Sequence, residues 1–185
     1  MTASAAKVIV LAGTAGTGKS SVGESLLKHH IQNYPHMEFL EGDLLHSPSN
    51  IEKMSHGTPL NDADRWDWLK KVSKAASESS SKNGGLSIVT CSSLKKKYRE
   101  LMRETCPNSE FYFVFLYGKK EEILNRLKKR EGHFMKANMM ESQFDDLELP
   151  QDDEKNCCIV AIDNKSYQEI DNEVKAKISV LLSRA

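Results

Sequence analysis

Apolar and polar positions along this chain fall into blocks that switch between two periods. Residues 7–12, 37–40, 86–91, 111–117 and 157–162 are short runs dominated by apolar, β-branched and aromatic side chains. Short apolar runs of this kind predict strands buried on both faces, as in a parallel sheet. Between them the spacing is helical. Val22, Leu26 and Leu27 share one side of residues 21–31, and Trp68, Leu69, Val72, Ala75 and Ala76 form one stripe in 65–76. Leu94, Tyr98, Leu101 and Met102 repeat after the third strand, and Tyr167, Ile170, Val174, Ile178, Leu181 and Leu182 mark a C-terminal amphipathic helix. Residues 121–130 begin with acids and end with bases, which matches a helix macrodipole. Strand and helix alternating in this way predict an α/β fold, with a five-stranded parallel sheet and helices on both faces. The serine-rich stretch 77–85 reads as a frayed helix end and loop. The acidic stretch 145–154 reads as a solvated connection without chemistry.

One connection is more than a turn. Between the first strand and its helix the chain reads Gly13-Thr14-Ala15-Gly16-Thr17-Gly18-Lys19-Ser20, a complete G-x-x-x-x-G-K-S phosphate-binding loop followed by Ser21. The glycines let the backbone approach an anion closely. Loop N–H groups then wrap the phosphates at a helix N-terminus, where the dipole favours negative charge. Lys19 reaches the β- and γ-phosphates and the Ser20 hydroxyl holds Mg²⁺. A dinucleotide-binding loop is excluded, because Gly16-x-Gly18 is followed by Ser21 and not by glycine.

Length and charge narrow the function further. The 185 residues suit one domain with a substantial core. Lys plus Arg number 26 and Asp plus Glu number 26, so no global field draws the protein to nucleic acid or an anionic membrane. No segment approaches a membrane-spanning length, and no signal peptide is legible at the N-terminus. Cys91, Cys106, Cys157 and Cys158 have no metal-ligand spacing, and buried thiols in a reducing cytoplasm are expected.

In parallel α/β sheets ligands gather at the carboxyl ends of the strands. Asp43 stands there, directly after the second strand. By position alone two readings are even: a functional carboxylate that accepts a hydroxyl proton or holds a Mg²⁺-bound water, and an ordinary N-cap or turn residue. The surrounding pattern is more specific. Asp43-x-x-His46-x-Pro48-x-Asn50-x-x-Lys53-Met54-x-x-Gly57-x-Pro59-Leu60-x-Asp62-x-Asp64-Arg65-x-x-Trp68-Leu69 closely resembles the gluconokinase family of P-loop sugar-acid kinases. Cys91-Ser92-Ser93-Leu94-Lys95-x-x-Tyr98-Arg99 resembles a second block of that family. Arg126-x-x-x-Arg130-x-Gly132-His133-Phe134, with Gln143-Phe144-x-x-Leu147-Glu148-x-Pro150, resembles its lid and the helix after it. Asp67 replaces a proline usual in the family, and Ser93 stands where alanine is frequent.

The resemblance implies a P-loop kinase fold in a single domain, 1–185, with a small lid over about residues 126–143. It implies ATP- and Mg²⁺-dependent phosphorylation of gluconate to 6-phosphogluconate in the cytoplasm. A homodimer is compatible with the sequence. Residues 13–21 would hold the nucleotide, and Ser20 and Asp43 the metal. Asp43, His46, Lys53, Arg65 and Ser92 would bind the acceptor. Lys19, Asp43, Arg126 and Arg130 would act in catalysis. The residue chemistry agrees, since gluconate offers a carboxylate for Arg or Lys and hydroxyls for short polar side chains. Arg126 and Arg130 are four apart and share one helix face. Two other readings compete: the same scaffold with a shikimate or nucleoside monophosphate acceptor, and a non-catalytic nucleotide switch. A GTPase would need Asn-Lys-x-Asp, but Asn164-Lys165 is followed by Ser166-Tyr167.

Overall fold

The computed structural model describes residues 4–129 and 137–183. Its five strands are β1 (Ala6–Ala12), β2 (Phe39–Glu41), β3 (Leu86–Thr90), β4 (Ser109–Tyr117) and β5 (Cys157–Ala161). They form one sheet in the order β2-β3-β1-β4-β5 with every pairing parallel, as the sequence predicts. The helices among the described residues are α1 (Lys19–His30), α2 (Pro48–Ser55), α3 (Asp62–Lys82), α4 (Lys96–Thr105), α5 (Lys120–Lys129), α6 (Ala137–Asp146) and α7 (Tyr167–Ser183).

The strands are apolar throughout because both faces are covered, and alternate residues enter different cores. Ile9 and Leu11 of β1, with Tyr112, Val114 and Leu116 of β4, pack against Val22 and Leu26 of α1 and Ile170, Val174 and Ile178 of α7. Val8 and Val10, with Phe111, Phe113 and Phe115, pack against Trp68, Leu69 and Val72 of α3 and Tyr98 and Met102 of α4. Each such side chain, fully buried, contributes about 1.5–3 kcal/mol. The central pair β1 and β4 is therefore the rigid floor on which the loops at the carboxyl edge stand.

Three expectations are corrected. The second strand begins at Phe39 and not at 37, because Met37 N–H donates to Tyr34 O at 3.0 Å in a preceding turn. The serine-rich stretch is ordered: α3 continues to Lys82, and only Asn83–Gly85 forms the turn into β3. Ser79 and Ser80 are buried, the Ser80 hydroxyl donating to Lys7 O at 2.9 Å and the Ser79 hydroxyl to Glu38 Oε2 at 2.6 Å. Small hydroxyls here stitch the helix to the sheet edge, which polarity alone does not reveal. The acidic stretch 145–154 is only partly solvated. Glu154 is buried against Arg99 of α4, and Asp146 pairs with Arg65 of α3. α2 has no apolar period; it is nucleated by Ser47, whose side chain accepts from Asn50 N–H, with Pro48 at its first turn. No described helix is long and apolar enough to cross a membrane.

Candidate active site

The phosphate loop leaves β1 at Ala12 and enters α1 at Lys19. Two glycines decide its path. Gly13 has φ of +127°, and a Cβ there would stand 2.4 Å from Leu116 O. Gly18 precedes α1 in the left-handed region at φ of +93°, and no side chain caps the helix. The Thr17 hydroxyl donates to Thr14 O at 3.1 Å, bracing the loop from within. Lys19 Nζ donates to Gly13 O at 2.9 Å and to Thr14 O at 2.8 Å. Burial lowers the pKa of Lys19, while the nearby Asp43, Cys91 and Glu41 oppose that shift. The loop thus holds a desolvated cation and helix N–H groups together, an arrangement that attracts phosphate. Ser21 is exposed, and its carbonyl accepts from Tyr167 at 3.0 Å.

A cavity opens beside the loop at the carboxyl edge of the sheet. It brings together Lys19, Ser20, Asp43, His46, Arg65 and Ser92. Its apolar wall is Met54, Pro59, Leu60 and Trp68. The loop between β3 and α4 supplies Ser92, and Ser92 O accepts from Gly13 N–H at 3.1 Å, so the two edges are joined directly. Ser93 follows at φ of +45°, its hydroxyl donating back to Cys91 O at 3.0 Å. Burial pushes the Cys91 thiol up to about 11, so it is not a nucleophile at neutral pH.

Asp43 lies in the 3₁₀ turn Gly42–Leu45 and is exposed to the cavity. The turn is fixed by packing. Trp68 Nε1 donates to Gly42 O at 2.8 Å, and a Cβ on Gly42 would meet Thr90 O at 2.1 Å. His46 is buried and stacks on Trp68 with ring centroids 4.1 Å apart. Its Nδ1 lies 3.3 Å from Asn50 Nδ2, and its Nε2 lies 3.8 Å from Asp43 Oδ1. Burial lowers its pKa, so His46 is a neutral wall residue with one nitrogen toward Asp43.

Arg65 is buried at the far side of the cavity. Its Nη1 donates to Tyr98 Oη at 3.0 Å and to Asp146 Oδ2 at 2.7 Å. Burial opposes its charge, but the bonds to Asp146 and Tyr98 raise its pKa. Lys53 does not join this group. It does not line the cavity, because both oxygens of Asp64 hold its ammonium at 2.9 and 3.0 Å. Asp64 also closes the α3 capping box with Asn61, so the Lys53–Asp64 pair ties α2 to the start of α3. Arg126 also stands outside the cavity. Its Nη2 donates to Ile162 O at 3.3 Å and its Nε to Glu122 Oε1 at 3.3 Å. Arg130 lies outside the described residues. Asp67 is inside α3, well past its start at Asp62, so the missing proline does not affect how that helix begins.

The structure adds Glu41 and Gln143. Glu41 Oε2 accepts from the Ser20 hydroxyl at 3.1 Å and from Thr90 at 3.0 Å, joining the loop to the ends of β2 and β3. Its position before Gly42-Asp43 at a strand end was the available signal. Gln143 of α6 lines the cavity and accepts from Ala15 N–H at 2.8 Å. Among the described residues no cluster of three or more His, Cys, Asp or Glu could cage a metal. Ser20, Glu41 and Asp43 nevertheless offer hard oxygens around one cavity. That set fits Mg²⁺, which usually takes one or two protein oxygens plus phosphates and water.

Comparison with known proteins agrees in fold and separates the acceptors. Residues 5–156 match the family model "Adenylylsulphate kinase". The chain is 59% identical over 170 residues to a "Probable gluconokinase" of Saccharomyces cerevisiae, covering 91% of this chain and 88% of that protein. It is 42% identical to the "Thermoresistant gluconokinase" of Escherichia coli, over 94% of this chain and 93% of that one. The crystal structure of a gluconokinase from Sinorhizobium meliloti superposes with a TM-score of 0.81 at 36% identity, covering 96% of this chain and 94% of the other.

Proposed function

The chain belongs to the gluconokinase family, and from that premise we propose that it transfers the terminal phosphoryl group of ATP to the 6-hydroxyl of gluconate in one catalytic domain. The observation that carries the reading is a cavity in which the phosphate-loop residues Lys19 and Ser20 face Asp43, Ser92 and Arg65. Donor and acceptor sites open into each other there, as direct transfer requires. Relatives that are gluconokinases over nearly their whole length support gluconate as the acceptor over adenylylsulphate, shikimate or a nucleoside monophosphate.

The reaction breaks the bond between the γ-phosphorus and the β–γ bridging oxygen and forms one between that phosphorus and the gluconate oxygen. Asp43 accepts the hydroxyl proton or orients the hydroxyl. Lys19, released from the Gly13 and Thr14 carbonyls, meets the phosphates and offsets charge that spreads over the transferred group. Ser20, with Glu41 and Asp43 beside it, would hold Mg²⁺, which supplies further neutralisation of the phosphates when bound. Arg65 is the cation for the gluconate carboxylate, while Ser92 and His46 meet hydroxyls. The role foreseen for Lys53 passes to Arg65, because Arg65 lines the cavity and Lys53 does not. Arg126 approaches the nucleotide from α5.

The test is an ADP-release assay across gluconate, glucose, shikimate and adenylylsulphate at fixed ATP and Mg²⁺. A neutral hexose lacks the carboxylate that the Arg65 N–H groups beyond Nη1 would meet, so kcat/KM for gluconate should exceed that for glucose by about 100-fold or more. Equal or better turnover of any other acceptor would overturn the substrate assignment.

A further inference from the structure

Gln143 stands where nucleotide and acceptor must meet, yet the mechanism above gives it no task. Its Oε1 accepts from Ala15 N–H at 2.8 Å. Ala15 is the loop residue that lines the acceptor cavity together with Lys19 and Ser20. The terminal phosphoryl group of a bound triphosphate is the one nearest the acceptor, so this N–H is a donor in its path. Here a neutral amide oxygen takes that donor.

The helix carrying Gln143 is pinned on several sides. Met140 is fully buried in the core shared by α1 and α7. Asp146 holds Arg65 at 2.7 Å, Asn138 Nδ2 donates to Gly57 O at 2.8 Å, and Glu141 pairs with Lys120 at 2.5 Å. The amide therefore stays within reach of the loop while turning about its own bonds. An amide has two ends, an accepting oxygen and a donating NH₂. A phosphoryl oxygen can only accept.

Resting on the kinase reading above, we propose that Gln143 is a phosphoryl-contacting residue that exchanges its ends. With the loop empty, its oxygen satisfies Ala15 N–H. With a triphosphate bound, a phosphoryl oxygen takes over that N–H, and Gln143 Nε2 donates to the same group. Neither state leaves the half-buried Ala15 N–H without a partner, so the exchange costs little. The contact reports on the third phosphate alone, so it distinguishes ATP from ADP and strengthens as charge develops on the transferred group.

Two variants decide the matter. Gln143→Glu keeps an acceptor for Ala15 N–H but loses the donor and sets a carboxylate against the phosphoryl group. Gln143→Met keeps the approximate volume and loses both ends. The readouts are the thermal midpoint of the nucleotide-free protein, binding of ADP and of a β,γ-imido ATP analogue by calorimetry with Mg²⁺, and steady-state kinetics with ATP and gluconate. In Gln143→Glu the imido analogue should bind about tenfold more weakly or worse while ADP changes less than about twofold, and kcat should fall about 100-fold. Gln143→Met should fall between wild type and Gln143→Glu in kcat. A purely structural latch gives the opposite order, with Gln143→Glu like wild type and Gln143→Met impaired and less stable. That order, or equal weakening of ADP and the imido analogue, would overturn the proposal. If Gln143→Glu does not fold, the imido-to-ADP ratio in Gln143→Met decides: selective weakening of the imido analogue supports the proposal and an unchanged ratio overturns it. The binding comparison needs no gluconate, so a failed acceptor assignment would show separately, as wild-type protein that does not phosphorylate gluconate.

Discussion

Replacing Glu154 by glutamine should remove a large part of the stability margin without substituting any side chain of the cavity. Arg99 is fully buried, and Glu154 meets it through two parallel bonds, Nε to Oε2 at 2.6 Å and Nη2 to Oε1 at 2.7 Å. Arg103 adds a third bond to Oε2 at 3.2 Å. In the Glu154→Gln variant an NH₂ would face a guanidinium, donor against donor, and the buried charge would lose its counterion. Removing one partner of a buried pair costs about 3–5 kcal/mol. A second route gives a similar size. Burial alone would raise the Glu154 carboxyl, but bonds from Arg99, Cys157 and Arg103 hold it at about 2 against an ordinary 4.5. That gap corresponds to about 3 kcal/mol. Because the folded value is depressed, this stabilisation is full above pH 4.5, shrinks as pH falls, and is gone below about 2. Urea unfolding of wild type and Glu154→Gln at neutral pH and between pH 4.5 and 2 should show a gap of about 3 kcal/mol that closes on acidification. A gap below about 1 kcal/mol at neutral pH, or parallel curves through the acid range, would refute the reasoning. A functional consequence follows, because Arg99 Nη1 also donates to Ser93 O at 2.9 Å and Leu94 O at 3.2 Å, beside Ser92. The folded variant should therefore show a raised KM for gluconate with KM for ATP little changed.

Gly42→Ala should cost about 2–4 kcal/mol and most of the activity, since its Cβ would stand 2.1 Å from Thr90 O; a melting curve within a degree of wild type would contradict the contact. Asp43→Asn should lower kcat by about 100-fold or more, and an effect confined to KM would make Asp43 a binding residue only. Arg126→Ala should lower kcat more than nucleotide affinity, because its contacts with Ile162 O and Glu122 must give way to reach a reacting phosphate; unchanged kcat in single-turnover measurements would remove Arg126 from the mechanism.

Much of this protein was legible in the order of its residues. A strand in a doubly covered sheet must be apolar on both faces, so the runs at 7–12 and 111–117 announced a parallel sheet, and two cores received their alternate residues. The phosphate loop is a local device: its glycines, Lys19 and Ser20 are consecutive, and backbone conformation over a few residues sets its chemistry. The pattern from Asp43 to Arg65 likewise pointed to one place, and the cavity gathers Asp43, His46, Arg65 and Ser92 but not Lys53. What remained hidden depends on partners distant in sequence. Whether Lys53 or Arg65 keeps a usable charge depends on Asp64 and Asp146, and 81 residues separate Arg65 from Asp146. Glu154 looked solvated among its acidic neighbours until Arg99, 55 residues away, was folded beneath it. Gln143 reaches the phosphate loop across 128 residues. Composition and period fix what a segment buries, because burial follows from local pattern. Which charge is neutralised, and which donor faces the acceptor, is decided only when tertiary packing brings the two groups within hydrogen-bond reach.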